Sequence, residues 1–169
     1  MNFFKYFILL IIFLITVSCS KDKVKKSVIN EKNLDAQVFE AYQKGMDSLE
    51  AGDVLFAAKK FNEAEILFPQ SEWAPKSALM AAYSYYTQDY YKDAVAELER
   101  FIRIYPYYKD LDYAYYLMAI SHYEQIVDEK KDLQSIVNAK NNFSLLVKDY
   151  PNTEYALDAE FKLDLINDI

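Results

Sequence analysis

Three short segments centred on proline recur along the sequence and constrain its fold more than any other feature. They read Leu-Phe-Pro-Gln-Ser-Glu-Trp-Ala at 67–74, Ile-Tyr-Pro at 104–106 and Asp-Tyr-Pro-Asn-Thr-Glu-Tyr-Ala at 149–156. An aromatic or aliphatic residue closes one helix there, and the proline cannot continue it. Ser71 and Thr153 are then placed to cap a new helix, and the glutamate after each lies favourably at its N-terminal dipole. The segments therefore predict a helix end followed at once by a helix start.

The intervals between these prolines each leave room for two helices and a turn. The prolines are 37 and 45 residues apart, which fits a helix-turn-helix repeat of about 34 residues with small insertions, the tetratricopeptide pattern. The two glycines and four prolines are too few for the turns of a many-stranded β protein. We therefore predict an all-α fold, a right-handed superhelix of antiparallel helix pairs. Helices are expected at 35–50, 54–67, 72–87, 90–105, 111–127, 134–149 and 153–168.

The repeat register predicts which side chains lie where helices cross. The tetratricopeptide domain is expected over 35–169, with units at about 38–71, 75–108 and 112–152 and a partial unit at 153–169. The third unit fits once an insertion around 128–132 is admitted. His122 is expected to lie between helices rather than to act in catalysis. The crossing positions hold mainly small or aromatic residues: Gly45, Ala57, Phe61 and Ala64, then Ala82, Tyr85, Ala94 and Leu98, then Ala119, His122, Ala139, Phe143 and Leu146.

The first residues of the sequence have the pattern of a secretory signal. Lys5 precedes an apolar run at 6–15, and a small polar group then leads to Cys19. A run of about ten residues is short for a transmembrane anchor, the alternative, which needs roughly twenty. With Cys19 directly after a small residue, the stretch resembles the lipobox of bacterial lipoproteins. That resemblance implies a signal peptide at 1–18, lipidation of Cys19 and, from Ser20, sorting to the outer membrane. The residues after Cys19 are polar and rich in lysine, which predicts a flexible tether over 19–34.

Composition excludes several kinds of function. A P-loop, a dinucleotide-binding turn and a nucleophile elbow each need clustered glycines, which the sequence lacks. The net charge of −7 disfavours binding to nucleic acid. One cysteine and one histidine cannot build an internal disulfide or a His-rich metal site. We expect no enzymatic activity, no cofactor and no metal, although carboxylate pairs such as Glu63 and Glu65, or Asp128 and Glu129, leave a hydrolase as the remaining enzyme hypothesis.

The first helix of each pair is expected to line the inner, concave face of the superhelix. A groove so rich in tyrosine suits an extended peptide with aromatic and apolar side chains, because tyrosine offers rigid contact area and a hydroxyl. The alternative is that many of these rings fill space between helices. The predicted peptide-binding residues are Phe39, Tyr42, Met46, Lys76, Tyr83, Tyr86, Tyr113, Tyr116 and Tyr123, with Leu49, Leu79 and Ile120 on the same face.

Two segments carry a more specific resemblance. The stretch 90–106 contains Phe-Ile-Arg-Ile-Tyr-Pro, and 111–125 begins Leu-Asp-Tyr-Ala-Tyr-Tyr-Leu. Both resemble the BamD family, the tetratricopeptide lipoproteins of the outer-membrane β-barrel assembly (BAM) machine. The resemblance implies a lipid-anchored scaffold on the periplasmic face of the outer membrane. It implies as partners a BamA-like barrel subunit, other lipoproteins of the complex and unfolded outer-membrane proteins, with substrates received by the N-terminal repeats.

The sequence leaves two points open. Another periplasmic tetratricopeptide lipoprotein, one coordinating cell-envelope or peptidoglycan machinery, is the alternative function. Members of the BamD family have about five repeats, whereas this sequence stops within its fourth. The last helix is also too apolar for a terminal cap, which suggests either a fragment or a helix that meets a partner; its apolar residues are Tyr155, Leu157, Phe161, Leu163, Leu165 and Ile166.

Overall fold

The computed structural model describes residues 31–126 and 133–168. The predicted signal peptide, Cys19, the tether up to residue 30 and the insertion around 128–132 lie outside the described residues. Within the described residues the chain is all helical, which confirms the predicted fold class. The seven helices there are α1 (Glu31–Glu50), α2 (Val54–Leu67), α3 (Trp73–Tyr86), α4 (Tyr91–Ile104), α5 (Leu111–Tyr123), α6 (Leu133–Asp149) and α7 (Glu154–Asn167).

Five of the seven helices agree with prediction to within one residue at each end, and two differ by a turn. The first helix begins at Glu31, four residues before the predicted start at 35. The fifth ends at Tyr123, four residues before the predicted end. There the amides of Gln125 and Ile126 donate to carbonyls only three residues back, at 3.3 Å and 3.0 Å. This tightening of the last turn ends the α-helical hydrogen-bond pattern.

Only one of the two predicted caps forms. Thr153 has extended backbone, and its hydroxyl accepts a hydrogen bond from the Ala156 amide at 3.2 Å, as the sequence predicts. The cap predicted for Ser71 is wrong. The residue after it, Glu72, already has helical backbone angles, so Ser71 contributes its carbonyl to the Ala74 amide while its buried hydroxyl has no hydrogen-bond partner among the described residues. A cap that the sequence analysis did not include forms at the start of α2, where the Asp53 carboxylate accepts a hydrogen bond from the Phe56 amide.

The contacts between helices follow a repeat-stacking pattern. Every helix packs against its neighbours in sequence. The odd-numbered helices also contact one another, α1 with α3, α3 with α5 and α5 with α7. No backbone contact joins α2 with α4, or α4 with α6, in the described part of the chain. The first helices of the pairs therefore form the closed inner side of the array, and the second helices are spread apart on its outer side.

Small residues let the helices approach closely at the predicted crossings. Ala57, Ala64, Ala82 and Ala94 are completely buried there, and Phe61 fills the space between α1 and α2. The register is tightest at Gly45, where a β-carbon would lie 2.7 Å from the Phe61 ring. Two core clusters result. The smaller joins α1, α2 and α3, and the larger, built around Leu98, Phe101, Leu117, Phe143 and Leu146, joins α3 to α7.

None of the helices in 31–126 and 133–168 combines the length and the apolar character needed to cross a membrane.

We predict that Gly45→Ala destabilises the protein, although alanine normally favours a helix interior by about 0.5–1 kcal/mol over glycine. The new methyl group must displace the fully buried Phe61 ring, and such overpacking costs about 1–3 kcal/mol. Urea unfolding followed by circular dichroism measures the free energy of unfolding. Gln43→Ala, at an exposed position of the same helix, is the control. A Gly45→Ala protein as stable as the wild type would contradict the close approach.

Candidate functional site

The predicted groove residues lie on the first helices of the pairs, but they differ in how far solvent reaches them. Phe39 and Lys76 are exposed, and Tyr42 is buried. Leu79 and Ile120 are buried and belong to the core. The remaining predicted residues are half-buried: Met46, Leu49, Tyr83, Tyr86, Tyr113, Tyr116 and Tyr123.

At the N-terminal end of the inner face, α1 and α3 build a compact group that we call the aromatic–cation cluster: Phe39, Tyr42, Trp73 and Lys76. The Trp73 ring centroid lies 5.4 Å from that of Phe39 and 5.1 Å from that of Tyr42. The Lys76 Nζ lies 5.0 Å from the ring centroids of both Tyr42 and Trp73. Cation–π attraction of this kind contributes about 0.5–2 kcal/mol. The sequence pattern did not single out Trp73 as a binding residue, because it reads as the aromatic that opens a repeat.

Two adjoining cavities extend this cluster along the inner face. One is about 440 Å³ and the other about 400 Å³, and both are bordered by Lys76, Tyr108 and Lys109. Tyr108 and Lys109 come from the turn between α4 and α5, which sequence reasoning treated only as a repeat boundary. The cavities combine apolar walls, aromatic rings, two ammonium groups and acidic residues. Their other lining residues are Glu72 and Trp73 in the first, and Leu79, Met80, Asp110, Asp112, Tyr113 and Tyr155 in the second.

Farther along the inner face, side chains of α7 cover two of the predicted groove tyrosines. The Tyr155 ring centroid lies 5.5 Å from that of Tyr113 and 5.1 Å from that of Tyr116. The Tyr116 hydroxyl donates a 2.8 Å hydrogen bond to Asp158. Burial raises the pKa of both phenols, and the hydrogen bond to Asp158 raises that of Tyr116 further. Tyr113 and Tyr116 therefore largely fill space between helices, which is the alternative to a role in peptide binding.

The last predicted tyrosines also have intramolecular partners. Tyr123 packs edge-on against Phe143 with a centroid distance of 6.2 Å, and the Lys162 Nζ lies 4.8 Å from the Tyr123 ring centroid. The Tyr86 ring packs at a tilt against that of Tyr91 across the turn between α3 and α4, with a centroid distance of 5.8 Å. The open part of the predicted groove is therefore its N-terminal half, where the aromatic–cation cluster and the two cavities lie.

His122, Glu63 and Glu65, the titratable residues considered above for catalysis, lie among other side chains of the fold. His122 is half-buried, and burial lowers its pKa although Glu99 opposes the shift, so the imidazole is neutral at pH 7. Glu63 pairs with Lys60, whereas Glu65 is buried and bound by Arg100. The two carboxylates of this pair thus have separate cationic partners. Among the described residues, no three His, Cys, Asp or Glu side chains come together in a way that could hold a metal ion.

Residues 34–169 match the family model described as "Outer membrane lipoprotein" (YfiO). The chain belongs to this family. Its relatives include proteins named "Outer membrane protein assembly factor BamD": one from Caulobacter vibrioides is 41% identical over 127 residues, and one from Rickettsia prowazekii is 33% identical over 160 residues. A third, from Neisseria gonorrhoeae, is 31% identical over 139 residues. The resemblance to the BamD family is thereby confirmed.

The chain of this YfiO-family member spans about half the length of the curated relatives it matches. The alignments cover 75%, 95% and 76% of this chain but 42%, 61% and 52% of the relatives from Caulobacter, Rickettsia and Neisseria. The family description associates the chain with the outer membrane, and the relatives are named as assembly factors rather than as enzymes. The matched range 34–169 contains the aromatic–cation cluster and both cavities.

We predict that this YfiO-family chain loses stability as the pH rises above about 10, the ordinary tyrosine pKa. Burial raises the folded-state pKa of Tyr105, Tyr113 and Tyr116, so these phenols keep their protons in the folded state after unfolded chains lose theirs. Their contribution is therefore complete below that pH and decreases above it. Urea unfolding between about pH 8 and pH 11 measures the slope.

Tyr113→Phe should make this decrease less steep by up to about 1.4 kcal/mol per pH unit, because one proton fewer distinguishes the two states. Tyr107→Phe is the matched control, since 97% of that side chain is exposed. If Tyr113→Phe keeps the wild-type slope, the burial of this phenol does not govern alkaline stability.

Proposed function

We propose that this chain is a non-enzymatic lipoprotein subunit of the outer-membrane β-barrel assembly (BAM) complex and takes part in inserting β-barrel proteins into the outer membrane. It is held at the periplasmic face of that membrane by lipid chains on Cys19. It receives segments of unfolded outer-membrane proteins in its inner groove. A BamA-like barrel subunit and the other lipoproteins of the complex are its stable partners. Family membership and the names of the relatives support this role.

The observation that carries the binding proposal is the open N-terminal half of the groove. Trp73 and Phe39 offer flat apolar surface, which suits aromatic and aliphatic side chains of an unfolded chain. Lys76 and Lys109 border both cavities and can attract a carboxylate. The tyrosine hydroxyls along the inner face can pair with the unpaired backbone groups of an extended peptide. A barrel strand that ends in an aromatic residue and a terminal carboxylate combines all three features.

The charge distribution supports recognition of a peptide segment rather than of any anion. The cavity rims carry Glu72, Asp110 and Asp112 as well as the two lysines. A polyanion would be repelled by these carboxylates and by the net charge of −7. A peptide with one terminal carboxylate and apolar side chains instead finds ammonium groups for its carboxylate and several rings for its side chains.

This role predicts that a photo-activated cross-linker placed at Lys76 captures unfolded outer-membrane proteins in living cells. The position is exposed and borders both cavities, so a bound segment lies within reach of the cross-linker. The same cross-linker at Lys92, exposed on α4 at the other side of the array, is the matched control. Captured proteins are identified by mass spectrometry.

The expected result is recovery of β-barrel proteins from the Lys76 position and at least tenfold less from Lys92, about the ratio that 1.4 kcal/mol of binding energy produces. Equal capture at the two positions would argue against a groove-bound substrate. Capture of peptidoglycan enzymes alone at Lys76 would contradict the barrel-assembly role and support the cell-envelope alternative.

A further inference from the structure

A partly buried ionic network around Glu65 joins the outer helices α2 and α4. Glu65 on α2 is only 6% exposed. Its two carboxylate oxygens accept hydrogen bonds from Nη1 and Nη2 of Arg100 on α4, at 2.9 Å and 2.7 Å. The Tyr105 hydroxyl donates a third, at 2.8 Å. Arg100 Nε donates to Glu97 at 2.9 Å, so the guanidinium is fixed in its plane from two sides.

This network spans a gap that the backbone leaves open. In the described part of the chain, α2 and α4 make no backbone contact, and a crevice of about 450 Å³ separates them. Ile66 and Ile104 line the crevice, and Arg100 reaches across it to Glu65. The contacts of Arg100 and Tyr105 with Glu65 therefore connect the second helix of the first pair with the second helix of the next pair.

The aromatic–cation cluster lies at the same junction, on the opposite side of the array. Phe39 and Tyr42 come from the first helix pair, whereas Trp73 and Lys76 come from the second. The contact between α1 and α3 is much less extensive than the contact of either helix with α2. The two pairs also meet where α2 packs against α3, and a rotation of one pair about that contact would change the distances within the cluster. The small contact between α1 and α3 resists such a rotation only weakly.

We propose that Glu65, Arg100 and Tyr105 are positioning residues of the groove. By holding α2 and α4 together across the outer crevice, they fix the angle between the first two helix pairs. That angle in turn sets how Phe39 and Tyr42 meet Trp73 and Lys76. The consequence for peptide binding rests on the function proposed above, but the mechanical coupling between the network and the cluster does not.

The chemistry of the network fits this role better than that of the exposed ion pairs. The Lys44–Glu40 pair joins neighbouring turns of one helix, and both side chains are more than half exposed, so it restrains no angle between helices. Arg100 instead makes a bidentate contact with a buried carboxylate, the geometry that restricts orientation most. A lysine at this position could not supply the two parallel hydrogen bonds and the third one to Glu97.

Trp73 allows a direct test, because it is the only tryptophan in the sequence and belongs to the cluster. The test variants are Arg100→Lys, which removes the bidentate contact, and the milder Tyr105→Phe, which removes one hydrogen bond and keeps the ion pair. Arg103→Lys, exposed on the same helix, and Tyr107→Phe, exposed in the same turn, are the matched controls. Fluorescence emission and acrylamide quenching of Trp73 are recorded at temperatures where circular dichroism shows each protein fully folded.

We expect a red shift of Trp73 emission and stronger quenching in Arg100→Lys, smaller changes of the same sign in Tyr105→Phe, and none in either control. A purely structural network would lower the unfolding temperature without changing Trp73 in the folded protein. Unchanged Trp73 spectra in both test variants would therefore overturn the proposal. If Arg100→Lys does not fold, the result for Tyr105→Phe decides.

A second measurement separates this proposal from the function on which it builds. Fluorescence anisotropy gives the affinity for a labelled peptide copied from the C-terminal strand of a β-barrel protein. Both test variants should bind it more weakly, by about tenfold for Arg100→Lys, as expected for a misplaced binding contact. If the wild type does not bind the peptide but Trp73 still responds to the substitutions, the positioning role holds and the binding function fails.

Discussion

The structure depends on the close approach of helices that cannot bury their apolar faces within one pair. Alanine and glycine at the crossings bring the backbones together, and Phe61 fills the space against Gly45 so closely that no β-carbon fits there. Stacking of successive pairs then completes two clusters of buried side chains. The inner helices α1, α3, α5 and α7 contact one another, while α2, α4 and α6 spread apart. The division into an inner and an outer face follows from this one constraint.

The two faces at the junction of the first two helix pairs carry different chemistry. On the inner face, rings of α1 and α3 meet around Lys76 and border cavities that remain open. On the outer face, the gap between α2 and α4 is crossed by charged and phenolic groups that satisfy one another around the buried Glu65. We propose that the inner face binds the peptide and that the outer face restrains the angle between the first two helix pairs. The two faces are connected because each helix pair contributes one helix to the inner side and one to the outer side.

Much of the fold could be predicted from the sequence, because the proline segments and the crossing residues are local signals with a fixed period. The cap at Thr153 was predicted correctly, but that at Ser71 was not, because the identity of a capping residue does not reveal where helical backbone begins. For the groove, periodicity placed Phe39, Tyr42 and Lys76 on the inner face but missed Tyr108 and Lys109, which lie in a turn without period. The packing of Tyr155 against Tyr113 and Tyr116 could not be predicted either, because it depends on the distance between α5 and α7.

In the proposed function, the inner face at the first junction, and not the outer face, receives the unfolded substrate. Lysine acetylation with a water-soluble reagent tests it most directly, because Lys76 and Lys109 border the cavities while Lys59 and Lys92 are exposed on the second helices. The protein is labelled with and without a saturating unfolded β-barrel protein, and mass spectrometry gives the modified fraction at each lysine. We expect protection of Lys76 and Lys109, with Lys59 and Lys92 unchanged. Protection of Lys59 and Lys92, with Lys76 and Lys109 still reactive, would contradict it.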